Sequence, residues 1–361
     1  MKKIQDLFIK LVKIDSPFGQ EKKVVAFVIK ELKKLGLIIK QDKLGNIIAR
    51  SKKFNPKDSI LLCAHLDTVK SNKGIKPRIK NGVIYSDGKH ILGADNKAAI
   101  VEIICSLQKA KDFSNVELLF TVQEENGLAG VKKLDKRNIR SKRALVLDYS
   151  FLPGYVVLET PYAVILEVEI SGKTVHGARA NPNYNVIGVS GTCISSTTTD
   201  VADKGINYNI GEISSDRSGV NTAPSKVVFK SGFRSFSYKK LRDFLDKNKK
   251  DLEKEALERN CKISIKEIEV GPGYSYKKDD EFIKMIINNF RKINIETKLK
   301  NSFGLSDANI LNKYGIKAVE IGYGPQRTHT NKEFVSIKDM EKMSEFLAMF
   351  FSGVDNSGLI W

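Results

Sequence analysis

Glu124-Glu125 follows the apolar run Val116-Glu-Leu-Leu-Phe-Thr-Val122 and precedes the turn pair Asn126-Gly127. Adjacent glutamates are ordinarily a solvated face. Two of them beyond a buried strand stand where open α/β sheets collect ligands, outside the carboxyl ends of the strands. Other strand-like runs end the same way. Ile60-Leu-Leu-Cys-Ala64 runs into His65-Leu-Asp67, residues 144–147 run into Asp148, and residues 318–321 lead through a short loop to His329. Asp95 stands at the mouth of a strong helical stretch near the same edge. Singly each has a plain explanation: a satisfied core histidine at His65, a helix N-cap at Asp95, a turn at Asp148, loop surface at His329. Jointly, two imidazoles and four carboxylates on one sheet edge suit two divalent ions better than one, with zinc, cobalt and manganese all matching the donors. If one carboxylate bridges, five of these groups give each ion three contacts, and a sixth acid remains for proton transfer. Ions held about 3.5–4 Å apart supply what amide hydrolysis needs. Which of Glu124 and Glu125 ligates stays open on this chemistry.

The elements that must position these groups follow from periodicity. Ile4, Leu7, Phe8, Leu11 and Val12 recur at helical spacing, and charges at Asp6, Lys10 and Lys13 interrupt them, so the start reads as an amphipathic helix and not a secretory signal. A second helix spans 20–35 and closes at Gly36. Residues 46–49 and 59–64 read as strands, and a small hairpin turns at Asn81-Gly82. Helices are expected over 281–293 and over 337–351. From Tyr162 the pattern alternates, as in Val164-Ile-Leu-Glu-Val-Glu-Ile170. Strands at 227–235 and 263–270, a helical or mixed stretch at 186–198 and a charged helix at 239–259 predict an α+β insertion with a largely antiparallel sheet. Gly271-Pro272-Gly273 marks the return. The expected organisation is an α/β domain from 1–161 and 271–361, with a mixed, mostly parallel sheet flanked by helices, interrupted by a second domain at 162–270.

Bulk properties narrow the classes. With 361 residues, 41% hydrophobic and 29% charged, the chain has ample core material and no run long enough to span a membrane. Cys63, Cys105, Cys193 and Cys261 lie far apart, against a disulfide framework or thiolate metal site, so a reducing cytoplasm is the expected home. The net charge of +19 raises a polyanionic partner. Lysine outnumbers arginine about four to one and is scattered through helices, which argues for composition bias over a nucleic-acid site.

His65-Leu-Asp67-Thr-Val, Gly93-Ala-Asp95-Asn-Lys-Ala-Ala, Gln123-Glu-Glu-Asn-Gly-Leu-Ala-Gly130, Leu147-Asp148, Gly172-Lys-Thr-Val-His176-Gly and Ser306-Asp-Ala-Asn with His329-Thr resemble the dinuclear zinc peptidases that include peptidase T, aminoacylase and the glutamate carboxypeptidases. The peptidase T-like branch is nearest in texture, and the resemblance covers nearly the whole chain. It implies a zinc-exopeptidase fold with an inserted lid and dimerisation domain, and two ions: one on His65, Asp95 and Asp148, the other on Asp95, Glu125 and His329. It implies Glu124 as general base, Asp67 as the carboxylate orienting His65, and a cis bond between Asp95 and Asn96. His176, commonly contributed across a homodimer, would donate to the oxyanion, and Asn221 and Arg234 would hold the substrate carboxylate. Arg327 is a second candidate for that last role, and His90 matches no ligand. The expected activity is hydrolysis of short peptides by a tripeptidase-like aminopeptidase, the alternative being a carboxypeptidase or N-acyl amino acid deacylase on the same site. A non-catalytic homologue would lack a ligand or the base, and none is missing.

Overall fold

The computed structural model describes residues 2–110, 113–179, 181, 185–201, 205–217 and 219–351. They divide into two compact units, Met1–Glu159 with Ser275–Trp361, and Thr160–Tyr274.

The first unit is organised by a run of six residues without a polar side chain until its last. Ile60–His65 is buried along its whole length because it is paired on both edges. It runs parallel to Val116–Thr121, with His65 opposite Thr121, and parallel to Arg143–Tyr149, with Cys63 opposite Val146. Lys317–Gly322 extends the parallel set beyond Arg143–Tyr149, with Ile321 opposite Leu147. Ile47–Arg50 closes the other side antiparallel to Val116–Thr121. Among the described residues the sheet has nine strands, extended at one end by Ile38–Gln41 and at the other by Tyr155–Thr160, Tyr274–Ser275 and Lys298–Asn301. Because the four central strands are parallel, their carboxyl ends share one edge. That edge carries His65, the Glu124 turn, Asp148 and the loop to His329.

Alternation on the central strand assigns its faces. Ile60, Leu62 and Ala64 enter the main core with the helix Ala94–Lys109, while Cys63 turns the other way, its Sγ 3.6 Å from Asp307 on the helix Asp307–Lys313. The main core also takes in Phe8 and Leu11 of the helix Lys2–Val12, and a stack of Phe290 on Phe346, ring centres 3.8 Å apart, that joins the helices Glu281–Lys292 and Ile337–Ala348. A separate three-stranded sheet orders Phe334–Ser336, Val83–Tyr85 and Arg78–Lys80, the last two forming the hairpin expected at Asn81-Gly82.

The second unit is a four-stranded antiparallel sheet in the order Asn207–Ser215, Lys226–Ser235, Tyr162–Ser171, Lys262–Gly271. Alternate residues Val164, Leu166, Val168 and Ile170 pack into a core with the helices Val186–Val201 and Tyr238–Glu258. The stretch read as helical or mixed is therefore a helix, and Asn207–Ser215 is a strand the sequence did not suggest. That strand is exposed at most positions, so it lacks an apolar signature. Among the described residues no helix is long and apolar enough to cross a membrane. All four cysteines are buried.

One buried acid belongs to the fold and not to the sheet edge. Glu102 lies in the fully buried part of the helix Ala94–Lys109, neither carboxylate oxygen has a hydrogen-bond partner, and burial together with the nearby Asp339 pushes its pKa well up. A carboxyl group whose folded pKa is raised stabilises the protein below its unfolded pKa and loses that contribution as pH rises. Glu102→Gln is therefore expected to raise Tm at pH 8 by at least about 2 °C, the shift about 1 kcal/mol produces in a domain of 150–250 residues. The gain should vanish as the pH approaches about 4.3, the usual glutamate value. Thermal melts across that range check it.

Candidate metal centre

The cluster is built from backbone outward. Asp67, fully buried, receives the backbone N–H of Glu124 and of Glu125, each at 3.0 Å, one on each carboxylate oxygen. The same carboxylate lies 3.5 Å from Nδ1 of His65, which also sits 3.0 Å from the Asp67 carbonyl. His65 is thereby held with Nε2 toward Asp95 at 3.3 Å and Asp148 at 3.5 Å. The turn that carries the glutamates is fixed by its glycines and by Asn46. A Cβ at Gly130 would stand 2.0 Å from the Val122 carbonyl oxygen. Asn46 donates to the Gly130 carbonyl at 3.0 Å and accepts the Val122 N–H at 3.0 Å.

Asp95 is not a helix N-cap. It lies within the first turn of Ala94–Lys109 with non-helical φ −82° and ψ 107°, and no side-chain cap bond forms at that end. The Asp95–Asn96 peptide bond is cis. Asn96 Nδ2 reaches the Leu147 carbonyl at 2.6 Å and Asp148 Oδ1 at 2.9 Å, which holds the next acid. Asp148 itself lies inside the strand Arg143–Tyr149 rather than closing a turn after it. His329 sits in the loop after Lys317–Gly322 at φ 64°, its Nε2 3.2 Å from Asp95 Oδ2 and 2.9 Å from Glu125 Oε1.

Donor atoms of His65, Asp95 and Asp148 all lie within 4.8 Å of one another, as do those of Asp95, Glu125 and His329. The two groups share Asp95. His65, Glu124 and Glu125 form a third group by the same measure, and Glu124 is buried. Nitrogen and oxygen donors at this spacing fit two zinc-like ions. The electrostatics fit as well. Burial, then the charge of Asp148, pushes the Glu124 pKa well up. Burial raises Asp148 too, against the pull of His65. Asp95 goes the other way: burial opposes its ionisation, but hydrogen bonds with His329 and His65 hold it well below the usual carboxylate range. Hydrogen bonds with Asp95, then with Glu125, raise His329 to about 10. Acids crowded to this degree are what a bound dication relieves.

Three groups at the cluster were given no role by the sequence reading. Tyr323, fully buried, donates from its hydroxyl to Asp95 Oδ1 at 2.8 Å. Glu333, almost fully buried, accepts the N–H of Gly93 and of Asp95, each at 2.9 Å, and so grips the turn that presents Asp95. Asp307, from the Ser306-Asp-Ala-Asn motif, is buried beneath His65 and accepts from Thr121 Oγ1 at 2.5 Å; burial raises its pKa to about 7 despite that bond. A glutamate ahead of the strand-like Phe334-Val335 and four residues past His329 was the available signal for Glu333.

His176, Asn221 and Arg234 belong to the second unit. His176 forms a bridge with Thr222, and the Gly177 N–H donates to the Asn221 carbonyl at 2.8 Å, so His176 and Asn221 are neighbours, both exposed. Arg234 is half-buried on Lys226–Ser235, opposite Ala163 and Asn207, and burial lowers its pKa. Arg327 is exposed in the His329 loop. His90 pairs with Asp87 at 2.9 Å.

Glu333 yields a test of how the centre is held. Glu333→Gln keeps the volume and one acceptor but turns an amide N–H₂ toward a backbone N–H. Affinity for divalent metal should fall about 10–100-fold, the usual effect of losing a partner behind a ligand. Titration calorimetry of the metal-free protein with Zn²⁺ or Mn²⁺ measures it, with far-UV circular dichroism confirming the fold.

The sequence pattern of peptidase family M20/M25/M40 matches residues 61–352. The chain is 28% identical to the uncharacterized protein YqjE of Bacillus subtilis over 360 residues, 96% of each chain. Among solved structures it superposes on the aminopeptidase PepT of Bacillus cereus with a TM-score of 0.85 at 27% identity, and on a tripeptidase of Staphylococcus aureus with a TM-score of 0.89 at 26% identity, each alignment covering 97% of both chains.

Proposed function

The chain belongs to peptidase family M20/M25/M40, and from that membership we propose that it is an aminopeptidase of short peptides, tripeptides above all, dependent on two divalent ions, with zinc as the resident metal. The observation that carries the proposal is the pair of three-residue groups sharing Asp95, with Glu124 next to both in a further group with His65 and Glu125. His65, Asp95 and Asp148 would hold one ion, and Asp95, Glu125 and His329 the other. When bound, such ions polarise a peptide carbonyl and lower the pKa of water.

This chain's residues do the rest. Glu124 takes the proton of the attacking water and hands it to the departing amine. Its burial favours the protonated form, which suits a group that takes up a proton and then returns it. Asp67 keeps the His65 ring in place and, through the two backbone N–H groups it accepts, keeps Glu124 and Glu125 in fixed relation. His176 donates to the oxyanion, and Asn221 with Arg234 holds the substrate carboxylate, Arg through its two-pronged fork. We assign the homodimer contact to the second unit. The exposed edge strand Asn207–Ser215 offers unpaired backbone groups of the kind that template strand pairing. Four buried thiols suit a reducing cytoplasm.

The test is hydrolysis of a tripeptide by metal-loaded protein. Glu124→Gln should retain both ions and lose about 10²–10⁴-fold in kcat, the contribution of a positioned acid–base group; a variant that stays active removes Glu124 from the base role. Cleavage only of peptides with a free N-terminus excludes the deacylase and carboxypeptidase alternatives, and cleavage of N-acylated amino acids alone would favour them. Reconstitution with Zn²⁺, Co²⁺ or Mn²⁺ separately identifies the preferred metal.

A further inference from the structure

The connector between the helices Lys2–Val12 and Lys22–Lys34 touches three of the stretches that build the centre. The Ile14 carbonyl accepts from the buried Lys97 at 2.6 Å, two residues past Asp95. Ser16 donates from its hydroxyl to the Leu66 carbonyl at 3.0 Å, and its own carbonyl accepts the Thr68 N–H at 2.9 Å, so it brackets Asp67. The connector ends on Glu21, whose Oε1 accepts the Gly19 N–H at 2.8 Å and the Gln123 N–H at 3.1 Å.

An acid at the start of a helix ordinarily caps that helix. Glu21 occupies the N-cap of Lys22–Lys34, yet its side chain makes no cap bond; only 6% exposed, it reaches a residue 102 positions along the chain. The residue it holds precedes Glu124. Gln123 has φ 54°, the left-handed region that a residue with a Cβ occupies at a cost and keeps only where its surroundings fix it. Consecutive N–H groups of this turn are each taken by a side chain from elsewhere: Val122 by Asn46, Gln123 by Glu21, and Glu124 and Glu125 by Asp67. Release of the Gln123 amide acts first on Glu124, which adjoins it. Glu125 is one residue further on, keeps its bond to Asp67 and lies 2.9 Å from His329.

We propose that Glu21 is a positioning residue for the reaction: by holding the Gln123 amide in left-handed backbone it fixes where Glu124 stands, so that proton transfer depends on an acid at the start of another helix. The proposal rests on the peptidase reading above and adds a residue that acts through Glu124.

The experiment measures kcat and KM on trialanine, and zinc binding by calorimetry, for wild type, Glu21→Ala, Glu21→Gln, Glu124→Gln and the double variant Glu21→Ala/Glu124→Gln. Glu21→Ala should lower kcat about 10²-fold, the effect of a small misplacement of a catalytic group. KM and zinc affinity should stay within about threefold of wild type, since neither substrate binding nor the ligand set is touched. Glu21→Gln keeps a carbonyl oxygen to accept both N–H groups and should restore kcat to within about threefold of wild type. In the double variant the Glu21→Ala change should cost less than about twofold beyond Glu124→Gln alone, because residues that act as a unit are not additive. If Glu21→Ala melts too early to assay, Glu21→Asp, shorter by one methylene, takes its place. No hydrolysis of any di- or tripeptide by metal-loaded wild type overturns the peptidase reading and this proposal with it. An active wild type overturns the proposal alone if Glu21→Ala keeps its kcat, if Glu21→Gln is as slow as Glu21→Ala, or if the losses multiply in the double variant. A fall in zinc affinity matching the fall in kcat also overturns it, because the turn as a whole would then have moved.

Discussion

The carboxylate of Asp67 does at one point what the whole sheet edge requires. Fully buried, it accepts two backbone N–H groups from the turn after one strand and faces the imidazole at the end of its neighbour. An ionised acceptor shared in this way binds more firmly than neutral pairs do. It sets the His65 ring so that Nε2 faces Asp95 and Asp148, and it fixes the backbone that carries Glu124 and Glu125. The device recurs. Asn96 hooks Asp148 from the turn after Asp95, and Glu333 hooks Gly93 and Asp95 from beyond His329. Asp95, Asp148 and the Glu124-Glu125 turn are each held by a group from a different stretch of chain, which is how separate loops keep fixed donor distances.

The cost is electrostatic. Asp67, Asp95, Glu124, Asp148, Asp307 and Glu333 are all largely withdrawn from water near one edge of one sheet, and Glu320 joins them from Lys317–Gly322. A fold optimised for stability alone would place apolar residues there. The compensation is specific: backbone N–H groups on Asp67 and Glu333, hydroxyls on Asp95 and Asp307, and imidazoles between the acids. Departures from ordinary burial rules on this scale are the mark of a functional site.

The sequence disclosed the parts of the fold with one-sided physics. Ile60–His65 and Val116–Thr121 are buried along their whole length. The first reads as a continuous apolar run up to His65, and the second is apolar apart from Glu117, which pairs with Arg50, and Thr121. Tyr162–Ser171 is buried on one face and alternates. Asn207–Ser215 and Ile38–Gln41 stand at sheet edges with mostly exposed residues, so neither pattern marks them. Asp148 read as the residue after a strand because an acid breaks the apolar run, yet the backbone stays extended through Tyr149 where Lys317–Gly322 pairs alongside. The groups that could hold metal were visible because strand ends collect them. Those that hold the loops, Glu333 and Tyr323, were not, since their partners are backbone amides and a carboxylate contributed by a turn more than two hundred residues away. Which glutamate ligates was likewise closed to residue chemistry. In the structure Glu125 lies 2.9 Å from His329, and both glutamates share a group with His65.

The central claim is a dinuclear centre that shares Asp95 and leaves Glu124 free of metal. The most direct test is a crystal structure of zinc-loaded protein with anomalous differences collected on both sides of the zinc absorption edge. The account predicts two zinc peaks about 3.5–4 Å apart, both within bonding distance of Asp95, one on His65 and Asp148, the other on Glu125 and His329. A single peak at full occupancy under saturating zinc, or a peak bonded to Glu124 in place of Glu125, would contradict it.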